Sequence, residues 1–289
     1  MLLLVGAGVV LLSVIGGYLM EGGAVGALIQ PAEFIIIGGA AAGSLVVGTP
    51  MPVLKGILQQ AKRALSAPPS RDDYGDVLAM LYQLFRLVQQ TGVMALESHV
   101  EDPEKSPIFS RYPSFVKRHS SVAFLSDSVK VLIVGGIAPH DFDQLMNEDL
   151  DVRHKEDVQP SATLAKVGDA LPGLGIVAAV LGVVITMGAI DGPASEVGHK
   201  VGAALVGTFL GILMSYGFVQ PIGASLEHRV HEEAQYEQCI KAGLLATAKG
   251  LGPAIAIEFA RRIIPENVRP TFEETEQRCR ATRAEVRAA

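Results

Sequence analysis

Apolar residues in this chain gather into four long runs with little charge, and the rest of the sequence repeats apolar positions at helical spacing. The first run, LLLVGAGVVLLSVIGGYLM, follows Met1. The second, FIIIGGAAAGSLVVG, begins at Phe34 between Pro31 and the pair Pro50 and Pro52. The third and fourth, GDALPGLGIVAAVLGVVITMGAI from Gly168 and VGAALVGTFLGILMSYGFVQP ending at Pro221, flank a short polar break. Both reach the roughly 20 residues that cross a ~30 Å hydrocarbon core. The pattern predicts four transmembrane helices. The first run is read as a retained span, because it lacks the basic leader and small-residue cleavage site of a secretory signal.

Between and after the spans the period stays helical. From Tyr74 to Leu96, Val77, Leu78, Leu81, Leu84, Phe85 and Val88 share one face, while Asp76, Gln83, Gln90 and Glu97 look elsewhere. Ser120 to Ile133 repeats this and stops at Gly135 and Gly136. A third helix starts near Pro139, and the tail reads as helix over Glu233 to Ala248 and Pro253 to Ile264. ESHVEDPEKSPIFSRYP, rich in proline and polar residues, reads as a loop, and EQRCRATRAEVRAA as either a surface helix or a frayed end.

The expected fold is therefore all-α: a polytopic membrane protein with four transmembrane helices and a cytoplasmic helical domain. Its parts are a hairpin over 1–52, a cytoplasmic helical domain over 53–167, a second hairpin over 168–222 and C-terminal helices over 223–289. Lys and Arg are nearly absent from the loop Glu21 to Glu33 and from the loop after Ile190, so the positive-inside rule puts both termini in the cytoplasm.

Composition agrees, with 49% apolar residues, 19% charged and no tryptophan. A net charge of -6 without a dense basic patch carries no nucleic-acid message. Cys239 and Cys279 lie far apart without further ligands at metal spacing, so they are expected to be reduced, structural thiols. No nucleophile motif, metal cluster or phosphate loop is visible. Neither an enzyme nor a cofactor is expected.

Small residues mark helix contacts in lipid, where close backbone approach supplies much of the packing. Ala203, Gly207, Gly211 and Ser215 recur at every fourth position of the last span, Gly168, Gly175 and Gly182 at every seventh of the preceding one, and Gly39 and Gly43 form a GxxxG. If Pro172 and Pro221 sit at one depth, Thr186 and Thr208 also pair, roughly 20 Å further in at ~1.5 Å per residue. Both prolines fit hinges. Pro172 equally fits a first helical turn behind an Asp169 N-cap, and Pro221 a stop signal. Thr208 fits an ion path or an ordinary bond back to its own helix. No carboxylate sits at the middle of a span, since Glu33, Asp169 and Asp191 lie near boundaries. A proton path would need a titrating group from another chain.

VGDALPGLGIVAAVLGVV, HKVGAALVGTFLGILMSYGFVQP, GGYLMEGGAVGALIQPAEFIIIGGAAAGSLVVG, LESHVEDPEKSPIFSRYP and GPAIAIEFARRIIP followed by RPTF, in this order over almost the full chain, resemble the MotA family of flagellar motor stator proteins. The resemblance implies a homopentamer in the bacterial inner membrane around a MotB dimer, whose transmembrane aspartate carries the ion. It implies that Pro172 and Pro221 couple ion flow to conformational change. Thr208 and Ala179 would face the pathway. On this mechanism release to the cytoplasm is expected near Pro172 and Asp169. It implies a charged contact of the cytoplasmic domain with the rotor protein FliG through Glu97.

Where the family usually carries arginine eight positions before that glutamate, this chain has Gln89. Arg86 is the nearby replacement, and Lys105, Arg111, Arg118 or the acidic run around Glu148 offer further charge. Protons are the expected ion. The runner-up is a TolQ or ExbB type motor subunit, against which the four-span reading argues.

Overall fold

The computed structural model describes the backbone of residues 2–63 and 67–288 and the side chains of residues 3–61 and 67–282. In chain order the helices are α1 (Leu2–Met20), α2 (Val25–Leu28), α3 (Pro31–Gly48), α4 (Met51–Arg63), α5 (Arg71–Thr91), α6 (Glu97–Glu101), α7 (Pro113–Val116), α8 (His119–Val134), α9 (Pro139–Met187), α10 (Ala194–Met214), α11 (Gln220–Ala248), α12 (Pro253–Ile263) and α13 (Phe272–Ala288). The described residues contain no strand. The all-α expectation holds.

The chain divides into two compact units, residues 1–66 with 156–229 and residues 67–155 with 230–289. The first holds the apolar runs, and four helices among the described residues are long and apolar enough to span. Its small core is Ile37, Ala41, Leu171, Ala178, Val206 and Leu210, drawn from α3, α9 and α10. The outward side of α9 leaves Ile176, Val177, Val180, Leu181 and Val184 exposed in the single chain. Such a face suits lipid or further protein, not water.

The third helix predicted near Pro139 and the span predicted from Gly168 are one uninterrupted 49-residue helix, α9, which contains both Pro160 and Pro172. A proline in a helix interior removes a backbone donor and frees a carbonyl one turn earlier. Pro160 frees the Glu156 carbonyl, and α4 packs closely on the neighbouring turn. Gln60 Nε2 donates to the Asp157 carbonyl at 2.6 Å, and Gly56 lies so near the proline ring that a methyl there would meet its Cγ at 2.8 Å.

The second unit is built around α5. Ser70 caps it in a reciprocal box with Asp73, whose amide donates to Ser70 Oγ and whose carboxylate accepts from the Ser70 amide at 2.8 Å. The predicted face of Val77, Leu78, Leu81, Leu84 and Phe85 is buried, but Ala79, Met80 and Gln83 on other sides are buried as well. Gln83 is thus no surface residue; its Nε2 donates to the Tyr112 hydroxyl at 2.6 Å. Neighbours on several sides make α5 the central helix of this unit, and each large apolar side chain fully buried contributes about 1.5–3 kcal/mol.

The segment read as a loop after Glu97 forms short helical turns, including α6 and α7, whose Val100 and Phe115 are buried. Phe109 packs against Phe115 with ring centroids 5.6 Å apart. Gly135 and Gly136 have φ of 74° and 76°, the left-handed backbone that ends α8 as expected. The last segment is helical, and Arg278 of α13 reaches Asp72 and Asp76 of α5.

Candidate functional site

In the membrane unit, α9 and α10 cross with their backbones in close approach. A methyl group placed on Gly175 would lie 2.8 Å from the Gly207 carbonyl oxygen and 3.3 Å from the Thr208 Cα. One on Gly211 would lie 2.6 Å from the Leu171 carbonyl oxygen, and one on Gly182 2.6 Å from the Ala204 Cβ. Only glycine permits such backbone approach. The small-residue stripes at Gly175, Gly182, Gly207 and Gly211 thus meet each other inside this chain.

This register corrects the depth pairing expected from the prolines. Thr208 faces Gly175, not Thr186, and Gly168, not Pro172, lies beside Val219 and Gln220. Glycine packing sets the register, and a π turn over Ser215–Val219 inserts extra backbone just before Pro221. That turn joins α10 to α11 without a break, so Pro221 does not stop the helix.

Asp169 does not cap a helix N-terminus: it lies inside α9, and its carboxylate accepts from Gln220 Nε2 at 2.7 Å. Ser215 Oγ donates to the Gly168 carbonyl at 2.7 Å. These two bonds tie the Pro172 side of α9 to the Pro221 side of α10 and α11. Pro221 itself lines a cleft of about 360 Å³ with Leu3, Gly6, Ala7 and Val10 of α1.

Thr208 is half-buried, and its hydroxyl forms no hydrogen bond among the described residues. The bond back to its own helix is made instead by Thr186, whose Oγ1 donates to the Gly182 carbonyl at 2.8 Å. Ala179, also half-buried, stands one turn beyond Gly175 on α9 and next to the fully buried Ala178. The structure therefore places Thr208 and Ala179 along one crossing, with Pro172 and Asp169 about two and three turns before Ala179 on α9.

Sequence reasoning missed Glu33. Although it stands in the first turn of α3, its side chain is 7% exposed and packs against Gly207, with Oε2 lacking any partner. The signal was available, since Glu33 follows Pro31 directly ahead of an apolar run, but chain position alone did not reveal that the carboxyl turns inward.

In the second unit, Arg86 lines a cleft of about 260 Å³ with Tyr82, Gln83, Gln90, His99 and Arg111. Burial lowers the His99 pKa, and its Nδ1 pairs with Ser106 Oγ at 2.8 Å. Burial, chiefly, pushes the Tyr112 hydroxyl up to about 12. Gln89 is exposed on the last turns of α5, and Glu97 is exposed at the start of α6 with no partner among the described residues.

The other candidate charges sort differently. Arg118 pairs with Asp73 at 3.6 Å and stacks on the Tyr236 ring at 4.9 Å. Lys105 pairs with Asp102 at 2.6 Å. Glu148 accepts from Gln144 at 2.9 Å. Arg118 is committed to the fold and unavailable as a surface contact. Both thiols are buried and unpaired as disulfides, and burial raises their pKa values, that of Cys279 to about 12. No group of three or more metal-ligating side chains occurs among the described residues.

Four helices long and apolar enough to span, with a glycine-packed α9–α10 pair, define a polytopic all-α membrane protein. Residues 117–239 match the MotA/TolQ/ExbB proton channel family, and residues 4–92 match the motility protein A N-terminal model. The chain is 41% identical to motility protein A of Escherichia coli (strain K12) over 284 residues, covering 98% of this chain and 96% of that one. It is 38% identical to chemotaxis protein LafT of Vibrio parahaemolyticus, covering 93% and 94%. The fold matches the Campylobacter jejuni MotAB structure with a TM-score of 0.75 at 18% identity, over 92% of this chain and 96% of that one. The chain belongs to the motility protein A family.

Proposed function

We propose that this chain is the stator subunit of a flagellar motor in the bacterial inner membrane. In this reading it surrounds a MotB dimer as a pentamer and couples inward proton flow to rotation. The observation that carries it is the α9–α10 crossing, where the Thr208 hydroxyl is unpartnered beside Gly175, with Pro172 inside α9 and Pro221 at the start of α11 just beyond α10. A partner carboxylate, neutralised by a proton taken from outside, crosses this apolar surface at low cost and releases the proton on the Asp169 side. The exposed face Ile176, Val177, Val180 and Leu181 suits packing against that partner. One charge moved across 100 mV supplies about 2.3 kcal/mol before any pH gradient.

The cytoplasmic charge contact with FliG is assigned to Glu97 and Arg86, with Gln89 on the same exposed end of α5. Unlike Arg118, Glu97 has no partner to give up. The test is co-expression with a MotB in a stator-less strain, scoring swimming in sodium-free medium. Protonophore-sensitive swimming is expected, and swimming only with added sodium overturns the ion. Glu97→Lys is expected to slow swimming and to be partly rescued by an opposite reversal on FliG; absence of rescue by any rotor reversal overturns the contact.

A further inference from the structure

Glu33 is a buried carboxyl group that the reading above does not use. It lies at the start of α3, yet its level is set by α10, because a methyl group on Gly207 would come within 2.5 Å of Glu33 Oε2 and 3.2 Å of the Ala178 Cβ. From Glu33 to the end of α3 at Gly48 is about 22 Å at ~1.5 Å per residue, and from Gly207 to Pro221 about 21 Å. Both fall within a ~30 Å hydrocarbon core counted from the cytoplasmic ends. Glu33 therefore sits at the depth of Gly207 and Thr208, inside an apolar layer of that thickness.

The surroundings offer no cation. The side chain lies where α10 and α9 meet at Gly207 and Ala178, and the one ionisable residue from Val201 to Pro221 or from Ala170 to Met187 is Tyr216, nine positions beyond Gly207. On α10, Glu196, His199 and Lys200 are two or more turns away, with Lys200 held by Glu196 at 2.9 Å. On α9 the nearest is Asp169, more than two turns from Ala178. α2 carries none, and α3 has no other ionisable group. An ionised carboxylate buried without a partner is costly by several kcal/mol, and adding a proton removes that cost. Gly207 supplies the space, since a side chain there would displace the carboxyl.

We propose that Glu33 is a second protonation site, belonging to this chain, which takes a proton from the external water and holds it at the level of Thr208 before the partner carboxylate receives it. Hydronium gives one proton to Oε2 and leaves as water; the same proton then passes to the next acceptor, and Glu33 reloads. The loading role rests on the stator reading, whereas the protonation itself does not.

Two readouts separate these. The full chain with its MotB in lipid nanodiscs is followed by infrared spectroscopy across acid to neutral pH. A carboxylic-acid C=O band is expected at neutral pH in the wild type, lost in Glu33→Gln and shifted in Gly207→Ala, whose methyl crowds Oε2. A band unchanged in Glu33→Gln, or absent from the wild type, overturns the site. In swimming cells, Glu33→Gln is expected to fall further behind the wild type as external pH rises, with Glu33→Asp recovering part of the loss. Identical speeds at every external pH overturn the loading role. A wild type that drives no swimming would refute the stator reading while the infrared band still reports on Glu33.

Discussion

Gly175→Ala tests the crossing on which the functional reading depends. The added methyl group would lie 2.8 Å from the Gly207 carbonyl oxygen, 3.1 Å from the Gly211 Cα and 3.3 Å from the Thr208 Cα. Favourable contact needs about 3.5–4.0 Å, so α9 and α10 must separate by roughly 0.5–1 Å, and overpacking of this kind costs about 1–3 kcal/mol. Alanine also gains up to ~1 kcal/mol of helix propensity over glycine, which obscures the comparison with wild type. Gly173→Ala provides the reference, because it gains the same propensity and meets nothing within 4 Å. The purified chain would be unfolded by titrating SDS into mixed micelles. Gly175→Ala is expected to be less stable than Gly173→Ala by about 1–3 kcal/mol. Gly211→Ala should behave similarly, and the double variant should cost less than the sum, since the first methyl already opens the gap the second needs. Equal stability of Gly175→Ala and Gly173→Ala would refute a close-packed crossing.

Further outcomes follow from other sites. Pro172→Leu and Pro221→Leu are expected to abolish swimming while membrane insertion, read by fractionation, is unchanged; retained motility removes the hinge role. Burial raises the pKa of Asp76, opposed by a bond from Ser114 and by Arg278 at 3.1 Å, so Arg278→Met is expected to raise it further in an NMR titration. Because that folded pKa lies above the unfolded one, Asp76 favours unfolding at neutral pH and this loss shrinks as pH falls through the folded pKa. Cys239 and Cys279 are expected to resist alkylation at neutral pH until denaturant is added, as followed by intact mass. Arg261 and Arg262 hold Glu258 at about 2. Glu258→Gln is expected to cost roughly 1 kcal/mol at neutral pH, a loss that vanishes as pH falls from 4.5 toward 2, measured by urea unfolding.

The spans and the core face of α5 were legible because lipid and a buried core both impose a strong period on the sequence. Continuity was not. The helix from Pro139 and the span from Gly168 read as separate elements, with Pro172 fitting a first turn, yet α9 runs through Pro172 and through Pro160, beside which Gln60 from a distant stretch of chain bonds the Asp157 carbonyl. Gln83 looked like surface because its polarity was weighed without Tyr112, its partner 29 residues away. Arg118 resembled a free surface charge for the same reason, with Asp73 and Tyr236 out of sight. At the crossing, the stripes named the right glycines, but the register between them depends on which backbones interlock. Pairing the prolines therefore misplaced Thr186 against Thr208. By position Glu33 belongs to a boundary, and only the fold reveals the direction its carboxyl takes.

The π turn at Ser215–Val219 carries a mechanical meaning of its own. Such a turn is one surplus residue stored in a helix, and tightening it to α geometry would advance everything beyond it by one position. That step amounts to about 100° of rotation and ~1.5 Å of travel. Stored beside Pro221, which cannot donate to the turn before it, the surplus residue is a built-in gear tooth. A small relaxation there turns α11 about its own axis like a key in a lock, with no bond along the chain stretched.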